Sequence, residues 1–370
     1  MKKNYFIGMM SGTSLDAIDC GLFSIIDDFF ILEEHYTLAY PAPLREKILS
    51  LCQNKSLTIS EVGLIETELS ECYAEAVLAL LKKATRLPEE IIAIGNHGQT
   101  VYHSPEGAHP FTIQLGNSNI IAARTQINTV SDFRRMDMAY GGQGAPLAPG
   151  FHAACFSSSH EKRGVLNIGG MANITFLAKD YPVLGFDIGA GNVLMDAWIQ
   201  THLNKPFDES GQWARGGKCH AALLNQMMQE PYLHLPIPKS TGRELFNLAW
   251  LNQQLQKINE IISPQDVQAT LCEFTARCIQ ESMMTFLPTS IDSLYVYGGG
   301  ANNIYLLERL TLLLPLIKIS TTAELGIPPG WVEAATFAWL AKQRLDNKAG
   351  NLVSVTGANK PATLGAVYVF

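Results

Sequence analysis

The chain has 370 residues, 47% of them hydrophobic and 16% charged, and a formal net charge of −7. That length exceeds one ordinary core and predicts two domains, while an acidic balance without a run of Lys or Arg argues against nucleic acid as the main partner. The apolar run at 5–10 is too short for a signal peptide, no stretch approaches a membrane span, and seven cysteines without a CxxC pair predict a reduced, cytoplasmic chain with neither disulfides nor zinc.

In chain order, residues 4–10 read as a strand that stops at Ser11-Gly12-Thr13-Ser14, and 15–26 alternates as a second strand. The tip of such a hairpin can wrap a phosphate with backbone N–H groups and hydroxyls, although SGTS alone also fits an ordinary turn. A helix is predicted over 58–83. Thr58 and Glu61 fit a capping box, and Val62, Ile65, Leu69, Tyr73, Ala76 and Leu80 form one apolar stripe. Residues 90–95 form a short buried strand. His97 and Gln99 follow where strand gives way to loop, a place that suits substrate contact as well as a structural histidine. Strands at 111–115 and 127–130 precede Asp132-Phe133-Arg134-Arg135 and a glycine-rich loop, 141–146. Arginine forks match carboxylates in bidentate fashion; a surface ion pair is the plainer alternative. The domain boundary is expected here, giving lobes 1–131 and 132–370.

The second half repeats the first. A strand at 165–168, the turn Gly169-Gly170-Met171-Ala172-Asn173 and a strand at 174–177 copy the layout of 4–26. Two similar halves, each with a phosphate-binding hairpin, underlie the actin, hexokinase and Hsp70 class of ATP-binding folds. The expected architecture is therefore α/β: a two-lobed, duplicated actin/hexokinase-like (ribonuclease H-like) fold with an ATP cleft between the lobes.

An apolar run, 183–186, then delivers the carboxylate of Asp187 to a flexible turn, Gly189-Ala190-Gly191-Asn192, and 193–202 reads as a helix. Asp187 is read as a catalytic base. A strand-end Asp that caps the next helix is the alternative, and the repeated glycine turns lower its weight. Lys239-Ser240-Thr241-Gly242-Arg243-Glu244 reads as a charged loop opening a helix, with Ser240 or Thr241 as its cap. A helix follows over 268–287, then a strand over 293–297. The turn Gly298-Gly299-Gly300-Ala301-Asn302-Asn303 lets a flat ring lie against the backbone, so it is assigned to adenosine. Pro328-Pro329-Gly330 starts a last helix, 331–345, with Glu333 in its first turn, as a dipole partner or a cleft-facing acid. Walker A, GxGxxG, HRD, DFG, GxSxG and HExxH patterns are all absent. Any ATP must then be held by hairpin loops rather than a P-loop.

Eight segments together carry a specific resemblance: IGMMSGTSLDAID (7–19), NHGQTVYH (96–103), SDFRRMDMAYGGQGAPLAP (131–149), LNIGGMANIT (166–175), GFDIGAGNVLMDAW (185–198), PKSTGRELF (238–246), YGGGANN (297–303) and GIPPGWVEAATFAWLA (326–341). The chain resembles the anhydro-N-acetylmuramic acid kinase family of the actin/hexokinase-like superfamily. The resemblance implies that ATP and water convert 1,6-anhydro-N-acetylmuramic acid into N-acetylmuramic acid 6-phosphate, within cytoplasmic recycling of cell-wall peptidoglycan. It further implies a Mg2+-dependent homodimer with a small-molecule sugar substrate. Asp187 is the expected base. The nucleotide site is expected to draw on Gly12, Thr13, Ser14, Leu15, Asp16, Ala17, Ile18 and Asp19, on Gly169, Gly170, Asn173, Gly189 and Gly191, and on Gly298, Gly299, Gly300 and Asn302. His97, Asp132, Arg134 and Glu333 are implied to contact the sugar. Ala17 stands where members commonly have Gly, and Ala190 where many have Pro. The first hairpin lacks the Asp that kinases of the superfamily often carry there, so Asp16 is only a candidate for holding the metal and no ligand is assigned. Rival readings are a kinase for another small sugar, an actin-like ATPase, and a glycoside hydrolase, which would want two flanking carboxylates.

Overall fold

The computed structural model describes residues 3–12, 15, 17–26, 29–53 and 55–370. The chain divides into two compact units, 1–155 with 331–370, and 156–330. No helix among the described residues is long and apolar enough to cross a membrane.

The first unit is built on a six-stranded sheet. Strands β1 (Asn4–Ser11), β2 (Ala17–Ile26) and β3 (Phe29–Ala39) form an antiparallel meander. β4 (Ile91–Asn96) then adds to β1 in parallel. A separate hairpin, β5 (Gln99–Ser104) and β6 (Phe111–Leu115), precedes β7 (Thr129–Ser131), which pairs in parallel with β4. The C-terminal strand Ala366–Tyr368 closes that edge, antiparallel to β7. Sequence explains the layers. β1 and β4 are apolar nearly throughout because both faces of central parallel strands are covered. β3, at the other edge, alternates exposed with half-buried residues, as a one-sided strand must.

Two helices cover this sheet. The Ile59–Ala84 helix starts as expected: the Thr58 hydroxyl accepts from the Glu61 N–H (3.2 Å), and the Glu61 carboxylate accepts from the Thr58 N–H (2.7 Å). Its Ile65, Leu69, Tyr73, Val77 and Leu80 join the core of β1 and β2. The Val332–Leu345 helix is buried along most of its length and lies on β1 and β4. It sits so close that a Cβ on Gly8 would overlap the carbonyl of Ala334, and one on Gly95 the carbonyl of Phe337. Only glycine fits at these two strand positions. The division thus falls at 155/156 and 330/331 rather than at 131/132. The reason is physical: β7 is hydrogen-bonded into the first sheet, and the last long helix returns to cover it.

The second unit repeats the plan. β8 (Arg163–Ile168), β9 (Met171–Leu177) and β10 (Leu184–Ala190) form an antiparallel meander. β11 (Ser293–Tyr297) joins β8 in parallel, and β12 (Lys318–Thr321) joins β11. The order β10-β9-β8-β11-β12 therefore matches β3-β2-β1-β4-β7 in sequence and sense. The Pro264–Phe286 helix packs against this sheet, with Ser263 as N-cap and Pro264 at the first helical position. The helix expected after Lys239–Glu244 begins only at Leu248. Asn247 caps it, its side-chain oxygen accepting from the Trp250 N–H at 3.0 Å, so neither Ser240 nor Thr241 is the cap.

Candidate active site

In the second unit, Asp187 stands in the middle of β10, opposite Asn173 of β9; the strand runs on through Gly189 and Ala190, with a register shift after Asp187, so the turn expected at 189–192 begins only at Gly191. The 239–241 segment clasps it. The Asp187 N–H donates to the Lys239 carbonyl (3.1 Å), and one carboxylate oxygen accepts from the Thr241 N–H (3.2 Å). The Tyr232 hydroxyl donates to the Asp187 carbonyl at 2.9 Å. Burial raises the carboxyl from its ordinary 3.8 to about 6; the Thr241 N–H opposes this and the charge of Glu244 adds to it. A carboxylate whose proton affinity approaches neutrality is suited to general-base work.

The second glycine hairpin docks on the turn after Asp187. The Gly169 carbonyl accepts from the Asn192 N–H (2.8 Å), and the Gly170 carbonyl accepts from the N–H groups of Gly191 (2.9 Å) and Val193 (3.1 Å). A Cβ on Gly191 would overlap the Gly169 carbonyl, which explains the glycine. The Gly298–Gly300 turn lies against the end of β8: a Cβ on Gly300 would overlap the Ile168 side chain, and one on Gly298 the Asn167 side chain. Asn192 ties the pieces together, its side-chain amide donating to the Ile168 carbonyl at 3.1 Å. Beside them opens a cavity of about 400 Å³, lined by Gly299, Asn302, Asn192, Met195, Phe207 and Glu209 among others. Sequence reading missed the 207–210 wall, which carries no motif; Asp208 sits there, accepting from the N–H groups of Trp213 and Ala214 (both 2.9 Å).

Of the first hairpin, Thr13, Ser14 and Asp16 lie outside the described residues. The Gly12 carbonyl accepts from the Leu15 N–H (3.2 Å), and Leu15 and Ile18 bury their side chains fully, so only their backbones can face a ligand. Ala17 and Asp19 are half-buried, and Asp19 accepts from the Thr37 hydroxyl at 2.8 Å.

Three of the four sugar candidates converge in the first unit. Arg134 donates to His97 Nε2 through Nη2 (2.8 Å) and Nε (3.2 Å), and to the Gly144 carbonyl through Nη1 (2.8 Å). Burial, then the Arg134 charge, holds His97 well below its usual pKa, with a backbone bond at Gly98 opposing. The ring is neutral, and Nε2 is its acceptor. Burial also draws Arg134 down to about 10, against the pull of Glu333 and Asp137. Glu333 is raised by burial and by Asp19, with Arg134 opposing. Asp132 has a left-handed backbone (φ 62°) and faces Arg135 at 3.6 Å instead. With Asn96 and His97 it lines a polar cavity of about 170 Å³; the buried Asn96 side-chain nitrogen has no partner among the described residues. Asp137, absent from the sequence reading, is fully buried and accepts from the Gly144 N–H (2.8 Å), the Asn351 amide (2.7 Å) and the Thr356 hydroxyl (2.7 Å). It thereby fixes the loop whose carbonyl holds Arg134. Its signal was a second acid four residues before Gly141, in a motif read for Asp132 and its arginines.

Two units with the same ribonuclease H-like strand order, each turning a hairpin at its first pair of strands, define the actin/hexokinase-like class of fold. The sequence model of the anhydro-N-acetylmuramic acid kinase family matches residues 4–370. The chain is 48% identical to the anhydro-N-acetylmuramic acid kinase of Pasteurella multocida (strain Pm70) over 367 residues, covering 98% of this chain and 96% of that one. It is equally identical to that of Coxiella burnetii (strain Dugway 5J108-111) over 370 residues, covering 100% and 98%. Among solved structures, the activator of the 2-hydroxyisocaproyl-CoA dehydratase from Clostridium difficile with bound ADPNP aligns with a TM-score of 0.46 at 12% identity, covering 94% of this chain and 99% of that one. The chain belongs to the anhydro-N-acetylmuramic acid kinase family. It is a kinase whose substrate is the sugar 1,6-anhydro-N-acetylmuramic acid.

Proposed function

We propose that Asp187 is the single base of a coupled hydrolysis and phosphoryl transfer. Asp187 takes a proton from water as the water oxygen attacks C1 of the anhydro sugar. The C1–O6 bond breaks, and O6 leaves with its electron pair. That oxygen attacks the γ-phosphorus of ATP, the bond from phosphorus to the β-bridging oxygen breaks, and ADP departs. The products are N-acetylmuramic acid 6-phosphate and ADP, and the proton on Asp187 returns to solvent. One base serves both bond changes because the leaving oxygen of the first is the nucleophile of the second. The observation that carries this reading is a half-buried carboxyl in the middle of β10, raised to about 6 and clasped by Thr241, on the strand that leads to the turn docked on Gly169 and Gly170.

Positioning and charge stabilisation supply most of phosphoryl-transfer catalysis. We assign them to Gly12, Thr13 and Ser14 and to Gly169 and Gly170, with Asn173, Gly189, Gly191, Gly298–Gly300 and Asn302 completing the nucleotide site. His97, Asp132, Arg134 and Glu333 bind the sugar, Arg134 suiting its lactyl carboxylate. Among the described residues no three His, Cys, Asp or Glu side chains converge on a metal site. That fits Mg2+, which is commonly held by substrate phosphates and water with one or two carboxylates. When bound, Mg2+ would neutralise charge on the phosphates. The reading includes a cytoplasmic homodimer serving peptidoglycan recycling. Asp187→Asn should lower turnover by roughly 100- to 10,000-fold while sparing ATP binding; near-normal ADP release by that variant refutes the assignment. ADP release by the wild type without any sugar would instead favour an actin-like ATPase.

A further inference from the structure

The segment that clasps Asp187 also carries a cation that the mechanism above leaves unused. Arg243 is exposed, and among the described residues its guanidinium makes no ion pair or hydrogen bond. It nevertheless lies on the glycine hairpin: a Cβ placed on Gly170 would be 3.9 Å from Arg243 Nη2. Lys239, the other cation of the loop, is committed elsewhere. Its ammonium donates to the carbonyls of Leu233 (2.7 Å) and Tyr232 (3.2 Å) and stands over the Tyr232 and Phe286 rings.

The backbone that presents Arg243 is fixed on both sides. Upstream, Lys239 and Thr241 hold Asp187. Downstream, the Gly242 carbonyl accepts from the N–H groups of Leu245 and Phe246 (both 3.2 Å), and Phe246 is fully buried. The Arg243 carbonyl itself accepts from the Asn247 side-chain amide at 3.0 Å. One short segment therefore orients the base and places a free guanidinium over the turn read as a phosphate cradle. The Gly169 N–H already donates to the Met171 carbonyl (3.1 Å), and an unpaired arginine beside Gly170 is chemically suited to phosphate oxygens, which its planar fork matches in bidentate fashion.

We propose that Arg243 is a catalytic residue that contacts the transferring γ-phosphoryl group and stabilises its charge in the transition state. The proposal rests on the reading that Gly169 and Gly170 hold the triphosphate. Its test is steady-state kinetics and ADP titration on the full chain with Arg243→Ala and Arg243→Lys. Arg243→Ala should lose about 100- to 1,000-fold in kcat, the scale of a removed transition-state donor, and keep its ADP affinity within about threefold, since the contact is to the group ADP lacks. Arg243→Lys should recover part of the loss by restoring charge without the fork. The acid limb of the pH profile should stay in place in both. A kcat for Arg243→Ala within about threefold of wild type overturns the assignment, as does loss of ADP binding together with kcat, which would mark a structural role. Absence of sugar-dependent ADP release in the wild type would instead sink the underlying reading.

Discussion

Replacing Asp187 by Asn should make the protein more stable, and the gain should depend on pH. The folded carboxyl binds its proton more tightly than an unfolded Asp, at about 6 against 3.8. Between those values the native state holds more protons than the unfolded state, so stability falls as pH rises. Each unit of displacement is worth about 1.36 kcal/mol, which gives an upper limit of about 3 kcal/mol at pH 8. At pH 5, where the native carboxyl is largely protonated, the same linkage leaves about 1.6 kcal/mol. Asn is neutral and nearly isosteric, and its side-chain oxygen can still accept from Thr241, so it escapes the cost. Partial solvent exposure discounts the figure, and a gain of about 1–3 kcal/mol at pH 8 is expected. Urea unfolding of both proteins at pH 8 and pH 5, followed through the tryptophans of the second unit, measures it. A variant no more stable than wild type at pH 8, or a gain that does not shrink at pH 5, would refute the idea that burial strains this carboxylate.

The remaining predictions concern activity and packing. The kcat/KM profile should lose activity below about pH 6, because Asp187 must be ionised to accept a proton; a profile flat to pH 4.5 contradicts this. Arg134→Lys should raise the KM for the sugar about tenfold or more, because an ammonium cannot bond both His97 and the Gly144 carbonyl as the guanidinium does; an unchanged KM removes Arg134 from the sugar site. Gly191→Ala should destabilise by about 1–3 kcal/mol, the usual cost of overpacking, since its Cβ would overlap the Gly169 carbonyl. Thermal melts would show it, and an unchanged midpoint would mean that the turn yields freely. Chelation of divalent cations should abolish ADP release, and added Mg2+ should restore it.

Local patterns were legible where the physics is local. The Thr58–Glu61 capping box and the repeated strand–glycine–strand layout reappear in the structure, and the strand expected before Asp187 is present but runs past it to Ala190. What escaped was set by distant partners. Nothing near residue 131 shows that β7 will pair with both β4 and Ala366–Tyr368, so the division of the chain was misplaced. Gly8 and Gly95 look like ordinary strand glycines until the Val332–Leu345 helix is laid across them. β3 mixes Glu34 and His35 into an apolar run because only one face is covered, and that weak alternation hid it. The 239–241 clasp acts through backbone groups, whose partners leave no mark on residue identity.

The central claim is tested most directly by running one turnover in water enriched in oxygen-18 and weighing the products. If water is activated toward C1 and the freed O6 takes the phosphoryl group, the sugar 6-phosphate carries one heavy oxygen at C1 and none in its phosphoryl group, and each sugar 6-phosphate is matched by one ADP. Heavy oxygen in the phosphate would mean that water attacks phosphorus, and the role given to Asp187 would be wrong.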